Sequence, residues 1–189
     1  MNTTAHHSLK HHFLIAMPQM ADPHFAHTVV YIVEHNEFGA MGLVINRDTG
    51  LTLGHVLEQL QPELKAVEAR QQVPIYAGGP LHSDRGFVLH PHGWQFQATV
   101  DLGPLSMSTS QDSLIAIAEG HGPERCLIAL GYAGWDIGQL EAELLDNAWL
   151  TCPADPAVLF DTASDQRLQQ AVASLGIDLG RLAPQAGHA

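Results

Sequence analysis

Cations are scarce in this 189-residue chain: eight Lys and Arg stand against twenty Asp and Glu, a formal charge of −12 with thirteen histidines counted neutral. Lys10, Arg47, Lys65, Arg70, Arg85, Arg125, Arg167 and Arg181 are scattered singly, none beside another. A phosphate backbone is gripped by clustered Lys and Arg. Direct nucleic-acid binding is therefore disfavoured, and so is docking on anionic lipid. Long apolar runs are missing too: none approaches the roughly 18 residues of a membrane span. The start, Met1 to Lys10, is polar and histidine-rich rather than basic then apolar, so no secretory signal is expected. Cysteine is limited to Cys126 and Cys152, with no Cys-x-x-Cys pair. Cys126 opens the apolar run Cys126 to Leu130, where a buried, inert thiol is expected. A reducing, cytoplasmic setting follows as an expectation.

What is present suits one folded domain. Hydrophobic residues make up 46% of the chain and charged residues 15%, a balance that excludes intrinsic disorder. A chain this long buries about 70% of its unfolded surface and needs neither disulfide nor metal to hold a core. Phe13 to Ala16 reads as a short buried strand stopped by Pro18. Thr28 to Glu34 and Ala40 to Asn46 read as a hairpin, with His35 to Gly39 as its turn. Val56, Leu57, Leu60 and Leu64 recur at helical spacing, with Pro62 ending the first regular turns. Ile75 to Ala77 and Gly86 to His90 flank a glycine-rich bend, and Phe96 to Leu102 alternates like a half-buried strand. Thr109 to Asp112 looks like a capping box, and Arg125 to Gly131 like a central strand. Asp136 is placed to cap a helix whose Glu141, Glu143 and Asp146 face water, and a last helix runs from about Thr162 to Gly176. Hairpins first and helices later, without strict β-α-β alternation, favour an α+β fold. The ordered core spans about 8–176, with flexible tails at both ends, the last being Ala183 to Ala189.

Four groups of residues invite a functional reading. Gly78-Gly79-Pro80 lets a backbone approach an anionic or peptide ligand closely, or is a plain strand-to-strand turn. No Gly-Lys-Ser/Thr follows it, so it is not a phosphate loop. Arg85 nearby supplies donors for a carboxylate or phosphate, or pairs with Asp84 at the surface. Gly131, Tyr132, Gly134 and Trp135 offer an aromatic platform, with packing against the following helix as the competing role. Ser108 or Ser110 with His90 and either Asp84 or Asp112 could make a hydrolytic trio, although the Gly-x-Ser-x-Gly elbow is absent. Histidines cluster at His6-His7 with His11-His12, at His24 with His27, and at His90-Pro91-His92. With no His-Glu-x-x-His and no acidic ligand at matching spacing, no metal site and no cofactor are expected.

Taken together these runs resemble the YqgE/AlgH family of bacterial proteins. The resemblance rests on His12 to Pro18, Thr28 to Ile32 with Glu34-His35, and Gly39 to Arg47. Gly78-Gly79-Pro80 followed by Arg85 to His90, Gly131 to Trp135 with Gly138 to Glu141, and Asn147 to Leu150 complete it. It implies a single α+β domain with a bifurcated sheet, mixed or antiparallel, partly closed into a small barrel and ringed by helices. One branch of that family carries a transcriptional-regulator label, and the resemblance brings no catalytic residues with it. The expected function is non-enzymatic binding or regulation through a protein or small-molecule partner, centred on Gly78, Gly79, Pro80, Arg85, Gly131, Gly134 and Trp135. The alternative is a serine-dependent hydrolase.

Overall fold

The computed structural model describes residues 7–182, and the two expected flexible tails lie largely outside them. The chain opens with β1 (His12–Ala16), β2 (Val29–Asn36) and β3 (Gly39–Val44). Phe13 to Ala16 and Val29 to Val33 are buried on both faces, as unbroken apolar runs require. β2 and β3 form the expected antiparallel hairpin, but its turn is shorter than the sequence suggests. Only Glu37 and Phe38 turn, because the Asn36 side chain accepts the Phe38 N–H at 2.8 Å and Gly39 takes φ +129°. His35 therefore stays inside β2, buried, with Nδ1 accepting the Leu9 N–H and Nε2 donating to Glu141.

Next come β4 (Asp48–Thr52), α1 (Leu53–Leu60), the short α2 (Glu68–Gln71), β5 (Pro74–Ala77) and β6 (Leu81–His90). They are followed by β7 (Thr99–Asp101), β8 (Ser106–Ser108), α3 (Gln111–Ala118) and β9 (Leu127–Trp135). The strand expected over Phe96 to Leu102 shrinks to β7. The N–H groups of Phe96, Gln97 and Ala98 donate to the side chains of Thr99, Asp112 and Ser110 rather than to a neighbouring strand. Ser110 is the N-cap of α3, yet its hydroxyl serves Ala98 and not the helix. The residues expected to form a capping box instead fasten the 96–98 segment. The chain closes with α4 (Gln139–Leu145), β10 (Trp149–Pro153), α5 (Pro156–Phe160) and α6 (Ser164–Ala173). The N-cap of α4 is Gly138 at φ +73°, not Asp136, whose N–H donates to the Gln139 side chain.

The strands form one curled sheet in the order β10-β1-β2-β3-β9-β6-β8-β7, with β5 and β4 branching from β9. The result is an α+β half-barrel with helices around it. β9 is its hub. Along one edge Ile128 to Leu130 pairs parallel with β5, and then Ala133 to Trp135 pairs antiparallel with β3. The other edge carries β6. The sheet forks between those two halves, at Gly131, where φ is +75°. Gly78 ties the fork: its N–H donates to Leu130 and its carbonyl accepts the Val44 N–H, both at 2.8 Å. Phe13, Tyr31, Leu43 and Leu89 pack with α5 and α6 inside the curl. α4 covers Trp135 and Trp149, while α1 and α3 cover Ile75, Val88 and Ile128.

The fork leaves no room for side chains. A Cβ on Gly79 would overlap the Tyr132 carbonyl, and one on Gly131 would lie 2.6 Å from the Gly79 oxygen. At Gly86, by contrast, a Cβ would meet nothing within 4 Å. Positive-φ strain and overpacking each cost about 1–3 kcal/mol. Gly79→Ala and Gly131→Ala should thus each lower the unfolding free energy by about 3 kcal/mol or more. Gly86→Ala should change it by less than about 0.5 kcal/mol. Urea denaturation checks this, and equal midpoints for the three variants would contradict it.

Candidate functional site

The two glycine-rich segments lie far apart in sequence and meet in space, the second, Gly131 to Trp135, being the end of strand β9 rather than a bend. Gly78, Gly79 and Gly131 press backbone on backbone, while Pro80 and Gly134 reach the surface. Trp135 goes elsewhere. It is 5% exposed, packed between Phe25 and Trp149, and its indole N–H donates to Glu143 at 2.9 Å. The Trp149 indole N–H reaches the same oxygen at 2.8 Å. Glu143, expected to face water, is therefore turned inward to hold two indoles. Trp135 lies five residues along β9 from Leu130, about 17 Å at ordinary strand rise, and takes no part in the surroundings of Arg85.

Arg85 owes its position to a break in β6. Leu81 pairs with Tyr132 and Gly86 with Leu130, so His82 to Arg85 leave the ladder opposite Gly131 alone. Bulges of this kind re-aim side chains away from a sheet. A Cβ on Gly131 would come within 3.3 Å of the Ser83 backbone, so the bulge lies directly across the glycine. Leu81 to Arg85 are all exposed. His82 stacks on Tyr132 with 8° between the rings, Phe87 meets Tyr132 edge-on, and the Arg85 guanidinium sits 5.8 Å from the Phe87 ring. The aromatic surface here is thus made by Tyr132 and His82. Among the described residues Arg85 has no carboxylate within ion-pair distance, Asp84 included.

The bulge forms one wall of a cavity of about 500 Å³ between α1, α3 and the sheet. Its apolar lining comes from Val56, Leu60, Val88, Leu114 and Leu130, and its polar lining includes Ser83, Arg85, Ser108 and Thr109, with Asp84 as the one carboxylate. That mixture, apolar with a few polar groups, is how small-molecule sites are built.

Ser108 and His90 form a hydrogen-bonded pair, with Oγ 2.8 Å from Nε2. Directions follow from the partners. The Pro91 carbonyl can only accept, so His90 Nδ1 carries the proton and Nε2 accepts from Ser108. Thr99 accepts the Phe96 N–H and donates its own hydroxyl to Ser108 at 2.9 Å. Both His90 and Ser108 are wholly buried, and burial holds the imidazole below its ordinary pKa of 6.5. A backbone carbonyl occupies the place that a carboxylate takes in a hydrolytic triad. Ser110 and Asp112 serve the 96–98 segment instead.

Among the described residues no three His, Cys, Asp or Glu side chains gather to hold a metal. His11 bonds Tyr31, His24 bonds Asp22, and His92 bonds the Gly103 carbonyl; His6 lies outside the described residues. Arg167 counts in the sequence only as one of eight scattered cations and is not singled out there as a candidate. Arg167 is buried on the packed face of α6 with Ala171 and Val172. Its spacing of four and five residues from that apolar pair was the available signal.

Comparison with known proteins places the chain. A model of the family described as AlgH-like matches residues 13–180, and the chain belongs to that family. The UPF0301 protein of Stutzerimonas stutzeri is 64% identical over 189 residues, all of both chains. The UPF0301 protein AlgH of Pseudomonas aeruginosa is 66% identical over 181 residues, 96% of each chain. The solution structure of the AlgH protein from Pseudomonas aeruginosa aligns over all of both chains with a TM-score of 0.81 at 63% identity. A crystal structure of a protein from Corynebacterium diphtheriae shares the fold, with a TM-score of 0.69 at 21% identity over 92% of this chain and 91% of that one.

The buried imidazole makes stability depend on pH. His90 is neutral when folded and has a lowered pKa, so between that value and 6.5 the unfolded chain binds more protons. Its contribution is fully present above pH 6.5 and is lost as pH falls towards the folded value. The unfolding free energy should fall from pH 7.5 to pH 6, and His90→Gln should flatten that slope. A His90 ring found by NMR to titrate at or above 6.5 would contradict this.

Proposed function

We propose that this AlgH-like protein is a non-enzymatic binding protein that takes a small amphiphilic anion into the cavity beside the 82–85 bulge. The observation that carries this reading is Arg85: an exposed cation, without a carboxylate partner among the described residues, at the wall of a largely apolar cavity. Arg85 is one of only eight Lys and Arg in a chain of net charge −12, and an anionic group needs such a local cation. The guanidinium binds the anion while the apolar side chains of α1 and α3 receive its hydrocarbon body. The glycines of the fork, Gly78, Gly79 and Gly131, position the bulge, and Pro80 and Gly134 flank it at the surface. Trp135 supports the same strand from the α4 side. In this reading the protein works in the cytoplasm, and the loaded bulge is what a protein partner reads. Any effect on transcription passes through that partner rather than through DNA, since eight Lys and Arg against twenty Asp and Glu offer no extended footprint for a phosphate backbone.

Calorimetric titration with octanoate tests the reading. A charge-assisted hydrogen bond contributes about 1.5–3 kcal/mol. Arg85→Ala should therefore weaken binding by about tenfold or more, with an unchanged melting temperature. Equal affinity in the variant would refute the role of Arg85.

The 2.8 Å Ser108–His90 contact favours a second reading, a serine hydrolase. The pair is fully buried and lacks a carboxylate on Nδ1, which weighs towards a structural network. A fluorophosphonate probe should leave the native protein unlabelled. An adduct on native protein that disappears in Ser108→Ala would replace the binding reading with the hydrolytic one.

A further inference from the structure

A second cavity, of about 350 Å³, opens on the opposite flank of β5, where the end of α5 turns into α6. Val73, Pro74 and Phe160 give it apolar walls, and Thr162, Ala163 and Arg167 form its polar end. Arg167 is only 5% exposed, yet no carboxylate lies within ion-pair distance of it among the described residues. A buried charge is ordinarily paired, because leaving water without a counter-ion is costly. Here Nε donates to the Thr162 carbonyl at 3.1 Å, Nη1 donates to the Ile45 carbonyl, and the guanidinium lies over the Tyr76 ring at 4.6 Å with the Tyr76 hydroxyl as a further, neutral acceptor. Those contacts satisfy part of the donor fork and leave the positive charge uncompensated. Nη2 makes no hydrogen bond to a carbonyl or carboxylate of the described residues, and the cavity is where Arg167 is open.

Independent features give the same sign. The N-cap of the ten-residue α6 is Ala163, which has no side chain to accept the first amides, so that end of the helix presents unsatisfied N–H groups beside the guanidinium. Three of the eight Lys and Arg gather around this one cavity. Arg125 lies over Phe160 at 5.3 Å and neutralises Asp161 through two hydrogen bonds, and Arg70 donates to the Glu124 carbonyl at the rim. Cys126 adds no negative charge to the wall, because burial pushes its thiol up to about 11. Two carboxylates oppose that sign, Glu124 on the rim and the exposed Asp165 in the first turn of α6.

We propose that this cavity is an oxyanion site, in which Arg167 and the uncapped start of α6 bind a carboxylate or phosphate group and the Phe160 side receives a small apolar substituent. The site is separate from the cavity at Arg85 and does not depend on the reading given to it. A planar guanidinium pinned on two sides holds its remaining donors in a fixed direction, which favours bidentate oxygen recognition over simple charge attraction.

Two measurements on the full chain decide the matter, with inorganic phosphate and benzoate as probes at constant ionic strength. In amide NMR of the unaltered protein, at least one probe should give saturable shifts concentrated at Thr162 to Asp165 and at the Arg167 Nε–H. Benzoate binding alone identifies a carboxylate site, and phosphate alone a phosphate site. Calorimetry should then show at least tenfold weaker binding in Arg167→Gln. Arg181→Gln, which removes the same charge from a side chain that is 89% exposed, should bind as the parent does. No saturable shift with either probe, or shifts centred elsewhere, would overturn the proposal. So would parental affinity in a folded Arg167→Gln, and if that variant fails to fold the NMR map alone decides.

Discussion

The sheet forks where three glycines bring two backbones closer than any side chain permits. Gly78 and Gly79 cross Gly131, and two hydrogen bonds through Gly78 hold β3 and β9 together at that point. Everything around the candidate site follows from this crossing. β9 exchanges β5 for β3 because its backbone turns at Gly131, and β6 departs from its ladder opposite the same residue. The departure exposes Leu81 to Arg85 and raises the wall of the larger cavity. Glycine motifs that look like a ligand cradle in one dimension are here the joint that presents a neighbouring cation.

The polar groups inside the protein obey the same economy. His90, Ser108 and Thr99 form a directed chain of hydrogen bonds linking β6, β8 and β7. Glu143 collects two indole N–H groups and so fixes α4 on the sheet, while His35 joins β2 to α4 through Glu141. The buried members of these networks, His35, His90 and Ser108, are each matched by a partner, as the cost of desolvation demands. Arg167 differs in charge rather than in hydrogen bonding, since its carbonyl partners are neutral and its charge is not balanced. An unbalanced buried cation is expensive to keep, and its opening onto a cavity gives a physical reason for keeping it.

Much of the fold was legible because packing on both faces writes itself as unbroken apolar runs: Phe13 to Ala16, Val29 to Val33 and Leu127 to Leu130 are all strands. The joint positions were legible as glycines, but their purpose was not, because only three-dimensional contact shows that the space above Gly79 is occupied by Tyr132. Side-chain destinations were least legible. Ser110 and Asp112 had the right spacing for a capping box and spend their oxygens on Ala98 and Gln97, 12 and 15 residues away along the chain yet adjacent in space. Glu143 had the period of a solvent-facing residue, and the two tryptophans that capture it come from different strands. Arg85 was recognisable through charge scarcity alone; the β-bulge that displays it depends on tertiary pairing.

A rigid joint beside a free bulge is the claim on which the account of the candidate site rests, and amide hydrogen exchange measures both at once. Opening free energies range from near zero at exposed segments to the global value in core elements. The N–H groups of Val44 and Gly78, bonded across the fork, should exchange among the slowest in the protein. Those of Ser83 to Arg85, outside the ladder and exposed, should exchange faster by several orders of magnitude. Fork amides that exchange as fast as the bulge would contradict the account, because the joint would then not be what positions Arg85.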